Sequence, residues 1–225
     1  MSRASEDAQL KAALAPDAQP GQDKDPEARA LVLSQGRAER RGDSLRLKLS
    51  GGRILKLFSR PKDCELDNVD RCVNYRFIAD LPSRHAFLVD ATHYEGGDIL
   101  LIDDTSGRRT ALPGIPIFGP DSQELISIDN CTAYGGDYDL QIWKRAGDHF
   151  VITWKHETDA LAAPVEKEVA SWSRPNRIEL RLRSEDWLGH PSRRWSGALV
   201  RSGSGWRLEA KTPDDLRLEQ APAQR

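Results

Sequence analysis

The sequence predicts an all-β protein built from consecutive antiparallel sheet units, and two features carry that prediction. Apolar residues recur with a period of two around tight turns, as in Leu45, Leu47 and Leu49, then Gly51-Gly52, then Ile54, Leu55 and Leu57; this is the pattern of a hairpin with one buried face. The chain also echoes itself. Tyr94-Glu-Gly-Gly-Asp-Ile-Leu-Leu-Ile102 returns as Tyr134-Gly-Gly-Asp-Tyr-Asp-Leu-Gln-Ile142, so that Leu100 and Leu140, and Ile102 and Ile142, stand 40 positions apart, a period found in repeated sheet units.

Taken in order, the chain opens on residues rich in Ala, Asp, Gln and Pro with few large apolar side chains. Such a segment buries too little surface to offset its ordering entropy, so residues 1–36 are expected to form a flexible tail. A helix over Ser5 to Leu14 would be too short to persist alone. The first residues lack the basic-then-apolar order of a signal peptide, leaving an intracellular protein or a leader absent from this chain. The 225 residues carry 38% hydrophobic and 30% charged side chains, which fits a single β-rich domain over 37–212 and a second tail over 213–225.

In the first hairpin the face opposite the leucines carries Arg46, Lys48, Arg53 and Lys56, as the wet side of a half-buried sheet does; a dedicated anion-binding face is the rival reading. Cys64 and Cys72 then close a short polar loop. A disulfide is expected, because the segment has little core of its own and lacks a second pair of ligands at zinc spacing. Cys131 is left over as a small buried side chain. A bridge implies an oxidising compartment, hence a periplasmic or extracellular location.

Tyr75 to Ile78 and Ala86 to Val89 supply further strands. Ile99 to Ile102 follows, with Asp104-Thr105-Ser106-Gly107 as a turn and Thr110 to Leu112 as its return. Pro113, Gly114 and Pro116 then exclude both helix and central strand, so the chain must cross to another sheet. Phe118-Gly119-Pro120-Asp121 turns into Glu124 to Ile128. This aromatic-Gly-Pro-Asp turn before an aliphatic strand resembles the "FSPDG…L" signature of TolB-type β-propeller blades, with Gly119 where the family has Ser and Ser122-Gln123 where it has Gly and a basic residue. The resemblance covers part of one unit and implies a propeller-like arrangement, with a β-sandwich as the alternative, and surfaces that bind other proteins.

Phe150 to Trp154 reads as another returning strand. Ser171-Trp172-Ser173-Arg174-Pro175-Asn176-Arg177-Ile178 is similar to the stretch around Phe118 and opens a third unit, which Ala198 to Arg201 and Trp206 to Glu209 close. Between these units, Thr158 to Val169 is rich in Ala and charge and has room for one helical turn.

The functional content is thinner. With 33 basic and 35 acidic residues there is no basic excess for nucleic acid, and no apolar run approaches the roughly 20 residues of a membrane span. His85, His93, His149, His156 and His190 stand in no recognised catalytic arrangement, and no phosphate loop, nucleophile elbow or His-Glu-x-x-His motif occurs. No catalytic residue, metal site or cofactor is therefore assigned. His93-Tyr94-Glu95 is the compact titratable group, and strand alternation would put His93 and Glu95 on one face. Asp103-Asp104 and Asp129, Asn130, Asp137 and Asp139 offer oxygen ligands for calcium, but turn formation explains them better. Of the six tryptophans, Trp143, Trp154 and Trp172 are expected in the core. Trp187, Trp195 and Trp206, with Arg193, Arg194, His190 and Arg201, form a candidate aromatic and basic surface for an anionic or sugar-like partner. Tyr94 and Tyr134 fall at equivalent unit positions, which places them on one rim as docking residues or as braces between units. These patterns favour a non-enzymatic binding or scaffold protein of the bacterial cell envelope. An unrecognised hydrolase and a small toxin-immunity protein stay open beside it.

Overall fold

A computed structural model describes residues 3, 6–8, 10, 25–65, 68–128, 140–156, 165–184, 194–203 and 205–210. Among these residues the strands form antiparallel sheets in which each strand pairs with its sequence neighbour. The first sheet holds β1 (Ala38–Arg41), β2 (Ser44–Lys48) and β3 (Ile54–Phe58). The second holds β4 (Asn74–Leu81), β5 (Ala86–His93), β6 (Gly96–Asp103) and β7 (Arg109–Leu112). The third runs through β8 (Ile117–Phe118), β9 (Glu124–Ile128), β10 (Leu140–Ala146) and β11 (His149–His156), and the fourth through β12 (Val165–Arg174), β13 (Arg177–Ser184), β14 (Arg194–Ser202) and β15 (Gly205–Ala210). The all-β expectation therefore holds.

The β-rich segment contains two compact units, one of residues 1–115 and 145–151 and the other of residues 116–144 and 152–225. Each has its own apolar core. In the first, Leu45, Leu47 and Leu57 of the first sheet join Phe77, Phe87, Val89 and Ile102 of the second. In the second, Ile126, Leu140 and Ile142 of the third sheet join Trp172, Ile178, Leu180, Leu199 and Trp206 of the fourth. A three- or four-stranded sheet cannot cover its own apolar face, so consecutive sheets share a core.

The local chemistry explains most strand boundaries. The first hairpin has the expected alternation, with Leu45 and Leu47 fully buried and Lys48 exposed. Gly42, at φ +54°, lets β1 return to β2 through Gly42-Asp43. In the turn after β6 it is Asp103 that bonds back, its carboxylate accepting from the Thr105 and Ser106 backbone N–H groups at 3.0 and 2.7 Å. The Phe118-to-Asp121 turn is closed by Asp121, which accepts from the Gln123 N–H at 2.9 Å. A Cβ at Gly119 would lie 3.1 Å from the Trp172 ring, so the indole occupies the space that the Ser of the blade signature would need. The echo also has a structural meaning, because Leu100 and Ile102 lie on β6 and Leu140 and Ile142 on β10, each the third strand of its sheet. Of the stretch with room for a helical turn, residues 165–169 begin β12 and residues 157–164 lie outside the described ones.

Within the segment expected to be a tail, Pro26–Leu33 forms helix α1. Asp25 caps it by accepting from the Ala28 N–H at 3.1 Å, and Pro26 suits the first turn. The helix buries no residue fully; Ala30 and Leu31 pack partly buried against the first core, and Glu27 accepts from the Arg40 guanidinium and from the Phe77 backbone N–H at 2.7 Å. With only Ala30 and Leu31 on its apolar side, so short a helix leaves little periodicity to find.

Just before β1, Arg37 bonds the buried carboxylates of Asp80 at 3.0 Å and Asp104 at 2.6 Å. Burial pushes the Asp80 carboxyl up to about 6; Arg37 opposes the rise, and Asp104 and Glu6 add to it. The folded chain thus holds a proton on Asp80 at pH values where the unfolded chain has released it. Stability attributable to this group is present at about pH 4 and is lost as pH rises through about 6. Asp80→Asn keeps an acceptor for Arg37 and removes the titration. Urea unfolding at about pH 4.5 and pH 7.5 should show a larger gain for the variant at the higher pH, and an equal effect at both would contradict the assignment.

Candidate functional site

In the first unit, a surface rim forms where the cysteine loop meets the turn between β5 and β6. Helix α2 (Pro61–Glu65) carries Cys64, and a single 3-10 turn, Val69–Arg71, leads to Cys72. The two cysteines form the expected disulfide, with Cα atoms 4.6 Å apart. The loop also bonds to itself, because Asn68 O accepts from the Arg71 and Cys72 N–H groups at 3.0 and 3.1 Å. Cys72 is buried beside the start of β4, whereas Val69 is 47% exposed.

Pairing of Asn74 with Thr92 brings the end of β5 to this loop. His93 Nδ1 lies 3.3 Å from the Cys72 carbonyl oxygen, a contact that a proton on Nδ1 makes a hydrogen bond, and its Nε2 lies 3.8 Å from the Asp98 carboxylate. Tyr94 and Glu95 form the two-residue turn, so strand alternation does not govern Glu95, and the carboxylate nearest the imidazole is that of Asp98. The tip depends on glycine. Gly96 sits at φ +138°, and a Cβ at Gly97 would meet the Ala91 carbonyl oxygen at 3.0 Å.

Tyr94 is 50% exposed and separates two open depressions. One, of about 490 Å³, lies between Asp90, Thr92, Ile99 and Pro113; the other, of about 320 Å³, lies between Val69, Asp70, Glu95 and Asp98. Among the described residues their linings hold four carboxylates, Asp70, Asp90, Glu95 and Asp98, and no Lys or Arg. Asp90 is engaged by Arg76 at 2.8 Å. An aromatic ring, an exposed aliphatic side chain and an acidic margin suit recognition of a surface more than chemistry on a small molecule.

The other expected site residues fall differently. Tyr134 lies outside the described residues, as do Trp187, His190, Arg193, Cys131 and the acidic residues from 129 to 139. Trp206 is a correction: it is buried in the second core, edge-on to Trp172 at 6.0 Å, with the Arg201 guanidinium 4.6 Å over its ring. Arg201, 34% exposed, thus covers a buried Trp206 ring, which is not available as an exposed aromatic platform. Trp195 is half-buried and packs against the same core. Asp104 lies in the turn after β6, as expected, and its buried carboxylate also pairs with Arg37. Among the described residues no group of three or more His, Cys, Asp and Glu side chains could hold a metal ion, and no helix is long and apolar enough to cross a membrane. Sequence reasoning missed Val69 and Asp70, whose one signal was their place inside the Cys64–Cys72 loop.

Comparison of the chain with family models, with curated proteins and with solved structures finds no match.

The bridge should stabilise the rim more than the rest of the unit. Replacing both cysteines with Ala is expected to cost about 2–3 kcal/mol in chemical denaturation, from the loop entropy released in the unfolded chain. Amide exchange should quicken first at 68–72 and 93–98, and unchanged exchange there would show that the bridge does not hold the rim.

Proposed function

We propose that this chain is a non-enzymatic binding or scaffold protein of the bacterial cell envelope, and that its partner docks on the rim around Tyr94. The observation that carries the reading is the exposed pair Tyr94 and Val69, held on a disulfide-closed loop and a glycine-dependent turn and bordered by Asp70, Glu95 and Asp98. Surface rings on pre-ordered turns lose little entropy on binding, which is what an interface anchor requires. The acidic margin favours a basic segment on the partner.

Two further considerations support the setting. A disulfide persists in oxidising compartments, which agrees with a periplasmic or extracellular location. The succession of antiparallel meanders, together with the TolB-type turn at Phe118 to Asp121, favours a propeller-like arrangement, in which turns carry recognition. Fold-level likeness alone does not assign a partner.

The test is a pull-down from envelope extract with the wild-type chain and with the double variant Tyr94→Ala, Val69→Ala. One protein is expected at stoichiometric amount, released by rising salt, with its affinity for the variant reduced by at least about tenfold while the thermal transition of the variant stays intact. Unchanged capture by the folded variant would remove the rim from the account. Turnover in a broad hydrolase substrate screen, abolished by His93→Ala, would replace the binding reading by an enzymatic one.

A further inference from the structure

A second site lies on the opposite end of β5, at the 3-10 turn Pro82–Arg84 that joins β4 to β5. Glu6, 77 residues away along the chain, is fully buried there. One of its carboxylate oxygens accepts from the Ser83 backbone N–H at 2.7 Å, and the other accepts from the Ser83 hydroxyl at 2.6 Å and the Arg84 guanidinium at 2.8 Å. The second terminal nitrogen of Arg84 donates to Asp7 at 2.7 Å. Arg84 itself is only 3% exposed, and Leu10 is buried as well.

The donors belong to a turn with its own supports. Pro82 opens it, His85 closes it at φ +52°, the His85 N–H donates to the Pro82 carbonyl, and Arg145 donates to the Arg84 carbonyl at 2.8 Å. None of these supports comes from the N-terminal residues. These contacts hold the backbone of the turn, and with it the Ser83 N–H, independently of Glu6 and Asp7. Removing Glu6 and Asp7 takes two charge-assisted bonds from Arg84 and two from Ser83, which another acidic pair can restore.

We propose that Ser83 and Arg84 form a docking socket for a peptide segment bearing two adjacent carboxylates, and that Glu6-Asp7 is its resident, displaceable occupant. The chain then carries a recognition site for an acidic segment, covered in the isolated protein by its own first residues. A competing ligand must offer an equivalent acidic pair, because Ser83 and Arg84 engage carboxylates through charge-assisted donors.

The experiment uses the full chain with a specific protease site inserted between residues 14 and 20. After cleavage of the folded protein, size-exclusion chromatography follows the released segment, and a fluorescent peptide of residues 1–14 serves as the probe. The expected result is that the cut segment co-elutes with the body and is replaced by excess probe, saturably and at one probe per chain. A probe carrying Glu6→Gln and Asp7→Asn should bind at least about tenfold more weakly. Arg84→Gln in the body should weaken the unmodified probe similarly. Two outcomes overturn the proposal. If the cut segment departs and the probe does not bind, the turn is no ligand site. If the segment stays but excess probe never replaces it, the contact is an integral part of the fold.

Discussion

Arg37 ties together parts of the first unit that are far apart in sequence. Its guanidinium reaches Asp80 on β4 and Asp104 after β6, and stacks 4.7 Å over the Phe87 ring of β5. Its backbone N–H donates to the Ser34 carbonyl at the end of α1, and its carbonyl accepts from the Lys48 N–H of β2. One residue therefore ties a helix, the first sheet and the second sheet around two carboxylates that cannot stay buried and charged without it. Loss of such a partner from buried ions costs on the order of 3–5 kcal/mol. Burial raises the Asp80 carboxyl to about 6 against the opposing pull of Arg37.

From that anchor the rim follows by geometry. Asp80 lies toward one end of β4 and Asn74 begins the other, where the pairing of Asn74 with Thr92 brings the cysteine loop to the β5–β6 turn. β4 and β5 are thus loaded at both ends: Arg84 and its carboxylates at one, and the disulfide, His93 and Tyr94 at the other. The strands between carry the apolar core, with Phe77, Phe87 and Val89 almost wholly buried. The groups at issue in the proposed binding role thus sit on turns at the two ends of well-packed strands.

Those parts of the molecule that obey a local period were legible in the sequence. Leu45 to Leu57 announced its hairpin because burial alternates there, and the 40-residue echo found two third strands because Leu100, Ile102, Leu140 and Ile142 all face the cores. The Cys64–Cys72 bridge followed from spacing and a coreless loop. What stayed hidden depends on charge contacts over long separations. Helix α1 is held through Glu27, β1 is a polar strand of which only Ala38 is buried, and Glu6 finds Arg84 across the whole first sheet. Such contacts impose no spacing on the chain. Trp206 illustrates the same limit, since whether Arg201 stacks on it inside a core or beside it in water is decided by the fourth sheet and not by their neighbourhood in sequence.

The most direct measurement of the account is site-specific photo-cross-linking in the organism's own cell extract, with the photoreactive side chain placed at position 94 or, as a control, at exposed position 48 on the first sheet. The account predicts one dominant cross-linked protein from position 94, diminished by salt and by reduction of the disulfide, and none from position 48. Equal labelling from both positions, or a position-94 product indifferent to the disulfide, would contradict the claim that the braced rim is where this protein meets its partner.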